Sequence, residues 1–131
     1  MSNKRKFHVP QKLVVTTFSG GVSDDEILSY YRDLYESPEW EPGYHEFVDL
    51  RDVDMSRVST DCLKDLTLLV QGYMKSPEDG SKSAVLAPDD LPFALARFYE
   101  SASEDSPEQV HVFRNKHEAL SWLDVGADLL D

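Results

Sequence analysis

Three aspartates, Asp49, Asp52 and Asp54, fall within six residues and run into the hydroxyls of Ser56, Ser59 and Thr60. Carboxylates converging on one point suit hard cations such as Ca²⁺ or Mg²⁺, and a hydroxyl at a helix start tolerates an added phosphoryl group. The D-x-x-D-x-D spacing lacks the glycine and distal glutamate of an EF-hand loop. "DVDMS" echoes the D-x-D of phosphoaspartyl phosphatases, where the nucleophile stands at a strand end. Here the strand is expected to stop nearer Leu50, and 131 residues leave little room for a lid. In a chain with 25 acidic residues such a triplet arises readily by chance, so no metal site is expected.

The other candidates for chemistry are weaker still. His8, His45, His111 and His117 show neither an i, i+4 pair nor H-E-x-x-H spacing. Cys62 is the sole cysteine and sits within a helical pattern, where a small buried residue is the plain explanation. Gly20-Gly21 stands between a strand and a helix without G-x-G-x-x-G or Walker spacing, and Asp24 and Asp25 occupy the helix start where a phosphate would sit. No catalytic residue is assigned, no cofactor is expected, and the chain reads as a non-enzyme.

The aromatic side chains point elsewhere. Tyr30, Tyr31 and Tyr35, then Tyr73 with Met74, then Phe93, Phe98 and Tyr99 give three helices bulky apolar faces. Packing accounts for most of them. Ligand pockets are mostly apolar with few polar groups, so a site is expected between the second and third helices, at Leu69, Tyr73, Phe93, Arg97 and Phe98. Arg97 would be its cation.

Composition narrows the partners. A net charge of −12 repels nucleic acid and anionic surfaces. Apolar runs are too short to span a membrane, and a lone cysteine without a signal-peptide pattern suits the cytoplasm. Lys4, Arg5, Lys6 and Lys12 precede the first acid, Asp24, so residues 1–6 read as a basic tail or strand edge.

These groups must be positioned by an alternating set of elements. "KLVVTTF" (12–18) reads as a strand ended by Ser19-Gly20-Gly21, with "KFHV" as a short partner strand before it. Ser23 and Glu26 have capping-box spacing ahead of a helix that stops before Pro38. "EFVDLRDV" is the next strand, and Leu63, Leu66, Leu69, Val70, Tyr73 and Met74 mark a helix over about 60–75. "SAVLAP" (83–88), a helix opening at Asp90-Leu91-Pro92, the strand "QVHVFRN" and a helix capped by Asn115 complete the chain, with "VGADLLD" extending or fraying the last helix. The expected fold is α/β: a single domain over 1–131 with a mainly parallel, four- to five-stranded sheet wound as successive βα units, its opening strand antiparallel.

"GGVSDDEIL", "FVDLRDVDMS", "AVLAPDDLPFALARFYE" and "VHVFRNKHEALSWL", in this order over about residues 10–124, resemble the SpoIIAA-like proteins of the STAS superfamily. That resemblance implies a bacterial, cytoplasmic regulatory or binding module, and a relation to lipid-carrying CRAL-TRIO domains implies a small non-polar, lipid-like ligand. The alternative it implies is a phosphorylation-controlled protein–protein switch of the anti-sigma-factor-antagonist type, with Ser59 or Thr60 as phosphoacceptor and a regulatory protein as partner. The antagonists' Asp-Ser-Ser-Gly run is absent, and Ser59 or Thr60 also serves as a plain helix cap. Oligomeric state, a homodimer included, stays open.

Overall fold

The computed structural model describes residues 3–74 and 81–126. Residues 77–80 of the loop "PEDGS" and residues 127–131 of "VGADLLD" therefore lie outside the described residues. Strand β1 (Asn3–His8) runs into a 3-10 turn at Val9–Gln11, and Lys12, at φ 51°, closes it by donating its N–H to the Val9 carbonyl at 3.0 Å. There follow β2 (Leu13–Gly21), α1 (Asp24–Tyr35), β3 (His45–Asp54), α2 (Thr60–Tyr73), β4 (Lys82–Leu86), α3 (Asp90–Ala102), β5 (Gln109–Phe113) and α4 (Lys116–Leu123). Asn3–Lys6, expected in a basic tail, lie in β1 and pair antiparallel with β2. Their alternation explains this: Arg5 and Phe7 face inward while Lys4 and Lys6 point to solvent at the sheet edge.

The five strands lie in the order β1-β2-β3-β4-β5, and β2 to β5 are parallel. Each crossover steps to the next strand in the same direction, and crossovers share one hand, so α1, α2 and α3 must all cover one face. Val14, Val48, Leu50, Val85 and Val110 meet them there. Only α4, which follows the last strand, is free to turn the other way. It places Ala119, Leu120 and Leu123 against Leu13, Phe47, Ala84 and Leu86 on the opposite face. Strand periodicity is what separates the two sets, since neighbouring residues point to opposite sides.

Helix starts follow local chemistry. Ser23, Ser59 and Asn115 each accept a backbone N–H of the following turn through the side chain. Asp89 precedes α3 without such a bond.

Two strands run longer than their sequence patterns suggest. The glycine pair expected to end β2 is part of it: Ser19, Gly20 and Gly21 pair with Asp52, Val53 and Asp54 beyond an irregularity at Thr17/Ser19, where β3 spends one extra residue. Gly20 sits at φ 66°, a conformation glycine adopts without steric cost. β3 correspondingly ends at Asp54 rather than near Leu50, and the extra residue returns Val53 to the helix-covered core.

Phe47→Ala should lower unfolding free energy by about 3–5 kcal/mol in urea denaturation, because this ring is fully buried between sheet and α4. Gly20→Ala should cost only about 1–2 kcal/mol, because a Cβ there meets open space and the penalty is confined to the backbone.

Candidate functional site

Between the sheet and α1–α3 lies a half-enclosed cavity of about 70 Å³. Val48, Leu50 and Val85 form its floor, Leu63 and Leu66 of α2 one wall, and Leu95, Ala96 and Tyr99 of α3 the other. Ile27 and Tyr31 of α1 complete it. Two carboxyls, Glu46 and Glu108, interrupt this apolar surface. Glu46 shares the helix-covered side of β3 with Val48 and Leu50, and in the sheet register it stands beside Ser83 of β4, itself beside Val110 of β5. Glu108 lies in the bend just before β5 and lines the same cavity.

Both carboxyls are held by hydroxyls. Thr16 donates to Glu46 Oε2 at 2.6 Å and Tyr31 to the same oxygen at 3.0 Å. Because the Thr16 proton is spent on Glu46, the 2.6 Å contact between Thr16 and Tyr30 has Tyr30 as its donor. A chain Tyr30→Thr16→Glu46 thus ties α1 to β2 and β3. Arg5 lies 4.7 Å from the centre of the Tyr30 ring, on the far side of this chain. Tyr99 donates to Glu108 Oε1 at 2.9 Å.

Burial dominates the electrostatics. Glu46 is 5% exposed and Glu108 4%, and removal from water pushes their carboxyls up to about 7 and about 8 respectively. The hydroxyls of Thr16, Tyr31 and Ser83 and the charge of Arg5 pull Glu46 back down, whereas the Glu46 charge raises Glu108 further. Tyr31 and Tyr99 are held well above the usual phenol range by burial first and by these carboxylates second.

No protein-family model matches the sequence, and no curated protein does. In three dimensions the chain is similar to the crystal structure of an uncharacterized protein of the DUF3478 family with a SpoIIAA-like fold from Shewanella loihica PV-4. The TM-score is 0.60 and the identity 15%, with 93% of this chain and 94% of the other covered. The fold is SpoIIAA-like.

Within the SpoIIAA-like fold, the start of α2 is a clasp. The Ser59 hydroxyl donates to Asp24 Oδ2 at 2.6 Å, its N–H donates to Oδ1 at 2.8 Å, and its oxygen accepts from the Cys62 N–H at 3.1 Å. The Ser59 hydroxyl is the main reason the Asp24 carboxyl lies below its ordinary range. Thr60 beside it is exposed. Cys62 is buried, and burial followed by the Asp24 charge pushes its thiol up to about 12, which removes it as a nucleophile. Asp49 is bound by Arg51 through two bonds of 3.0 and 2.8 Å, and Asp54 accepts the Ser56 N–H at 2.9 Å. Among the described residues no three His, Cys, Asp or Glu side chains are grouped to hold a metal ion.

The helices expected to flank a ligand, α2 and α3, do wall the cavity, but with other residues. Leu69 and Tyr73 pack at the rim of the core, and the Tyr73 hydroxyl donates to Glu36 at 2.8 Å with its ring 5.2 Å from that of Tyr35. Phe93 lies under Arg114, 4.0 Å from its guanidinium. Arg97 is exposed and pairs with Glu100 at 3.6 Å, and Phe98 is half-buried. None of these five lines the cavity. Glu46 and Glu108 were missed. Glu46 carries a usable signal, a carboxylate in step with Val48 and Leu50 on a buried strand face, whereas Glu108 follows a polar loop and only tertiary packing buries it.

Stability should fall as pH rises from about 4.5 to about 8, because the folded chain keeps two protons that the unfolded chain has lost. Asp24, Asp49 and Asp54 act in the opposite sense at lower pH, and His45, held below its ordinary value by burial and then Lys82, opposes within the window. Glu46→Gln with Glu108→Gln should isolate the carboxyls: thermal melts at pH 8 should show a gain in stability that vanishes near pH 4.5. Ser59→Ala should cost about 1–3 kcal/mol by urea titration, since it removes a cap and a charge-assisted bond together.

Proposed function

We propose that this domain is a non-catalytic binding module that takes up a small, largely apolar molecule in the cavity between its sheet and α1–α3. The observation that carries this reading is the lining: aliphatic and aromatic side chains from three helices and three strands converge there, with only a few polar groups among them. Sites for small molecules have this composition, polar groups fixing orientation and apolar ones supplying affinity. A volume of about 70 Å³ holds a few waters, so an alkyl chain or a single ring entering from the open side is the occupant that fits. The proposed setting is the cytoplasm, and no helix among the described residues is long and apolar enough to cross a membrane.

A phosphoswitch at Ser59 has less support. Its hydroxyl is already committed to Asp24, and a phosphoryl group would meet that carboxylate at close range. Thr60, being exposed, has no such obstacle and no contact that a phosphate would improve.

Calorimetric titration with toluene, a single neutral ring, should show saturable uptake at one site. Ala96→Leu, which fills the cavity from α3, should reduce uptake about tenfold or more while the protein still melts cooperatively. Arg97→Ala, outside the lining, should leave uptake unchanged. Equal uptake by the Ala96→Leu variant and the parent protein would rule the cavity out as the site.

A further inference from the structure

Taking the cavity as a binding site, we infer that its ligand is a hydrophobic amine, a protonated nitrogen carried on a short alkyl or aromatic body. The inference rests on the sign of the polar groups that line it. Glu46 and Glu108 are both there, Tyr31, Tyr99 and Ser83 add hydroxyls, and among the described residues no lysine, arginine or histidine lines the cavity. Arg5, over the Tyr30 ring, lies outside the lining, and its charge is the last of the causes that lower Glu46.

Two buried carboxyls facing one apolar space are costly, because each resists ionisation and each charge opposes the other. The hydroxyls that hold them need an acceptor oxygen, not an ionisable group. A glutamine side-chain oxygen would accept the same hydroxyl protons without a charge to bury. What glutamine could not do is pair with a cation. A carboxylate has about four acceptor positions, and the hydroxyls of Thr16, Tyr31 and Ser83 take three on Glu46, while Tyr99 takes one on Glu108. An ammonium group is the complement, with three donors, no acceptor and the opposite charge. The Tyr31 and Tyr99 rings beside the carboxyls add faces that attract cations. Fatty-acid carboxylates are disfavoured by the same groups, because a bound anion would stand beside two acidic side chains and oppose the ionisation of either. The overall charge of −12 also raises the local concentration of cations.

A set of near-isosteric probes separates this inference from the cavity reading on which it depends. Hexylamine, hexanol and hexanoate, each titrated calorimetrically into the full chain, should bind in that order, with the amine at least about tenfold tighter than the alcohol, as charge-assisted hydrogen bonds predict. Each probe should displace toluene in proportion to its affinity. Glu46→Gln with Glu108→Gln should reduce hexylamine to the affinity of hexanol and leave hexanol unchanged. Hexanol or hexanoate binding as tightly as hexylamine would overturn the amine inference and leave an apolar site standing. Amine binding that survives the double substitution, or fails to displace toluene, would place the cation on the acidic surface and overturn it as well. If none of the three binds and toluene is also refused, the inference and the binding module fall together.

Discussion

A carboxyl buried inside a parallel sheet is the constraint around which this molecule is organised. Glu46 points from β3 into the space where three helices meet the sheet, and leaving it unsatisfied there would cost several kcal/mol. Hydroxyls from β2 and α1 converge on it, and the chain from Tyr30 through Thr16 to Glu46 fixes the height and rotation of α1 over the strands. Tyr31, one residue along, reaches the same oxygen and packs edge-on to Tyr30, ring centres 5.0 Å apart. The first helix is therefore held by polar contacts of defined geometry as well as by apolar area.

The second consequence concerns the cavity. Because the strands are added in one direction, three consecutive helices crowd a single face and α4 alone covers the other. The α4 face closes with small and branched residues, Ala84, Ala119, Leu86 and Leu120, in direct contact. On the other face, α2 and α3 present Leu63, Leu66, Leu95 and Ala96 toward a sheet whose centre carries Glu46 and Ser83 instead of large apolar groups. Short or polar side chains at the middle of the sheet leave a gap that three helices bridge without filling. The same residues that make the space polar at one point also make it empty.

Much of this architecture was legible in the sequence. Ser23 with Glu26 and Asn115 with Glu118 announced two helix starts, and the β-branched runs before Gly20 and around Val85 announced strands. The resemblance carried by the order of these elements agrees with the SpoIIAA-like fold. Gly20-Gly21 misled because glycine is ordinarily a breaker. Whether a strand continues through it depends on a partner, here Asp52–Asp54, that only the folded sheet supplies. The site was half legible. Bulky residues pointed to α2 and α3, the helices that wall the cavity, but the broad apolar faces left the inward direction ambiguous by about one turn, and the cavity is lined by Leu66 and Ala96 instead of Leu69 and Phe93. Arg97 attracted attention as a cation beside apolar bulk, whereas the folded chain sends it to solvent and supplies two acids in its place.

The account stands or falls on whether two carboxyls in this apolar space resist ionisation. Carbon-detected NMR of the glutamate side-chain carboxyls across a pH titration reads this directly. Two glutamates, assigned to positions 46 and 108, should titrate near 7 and near 8. If these two instead titrate between about 4 and 5, water reaches their carboxyls freely, and neither the buried network nor the cavity exists as described.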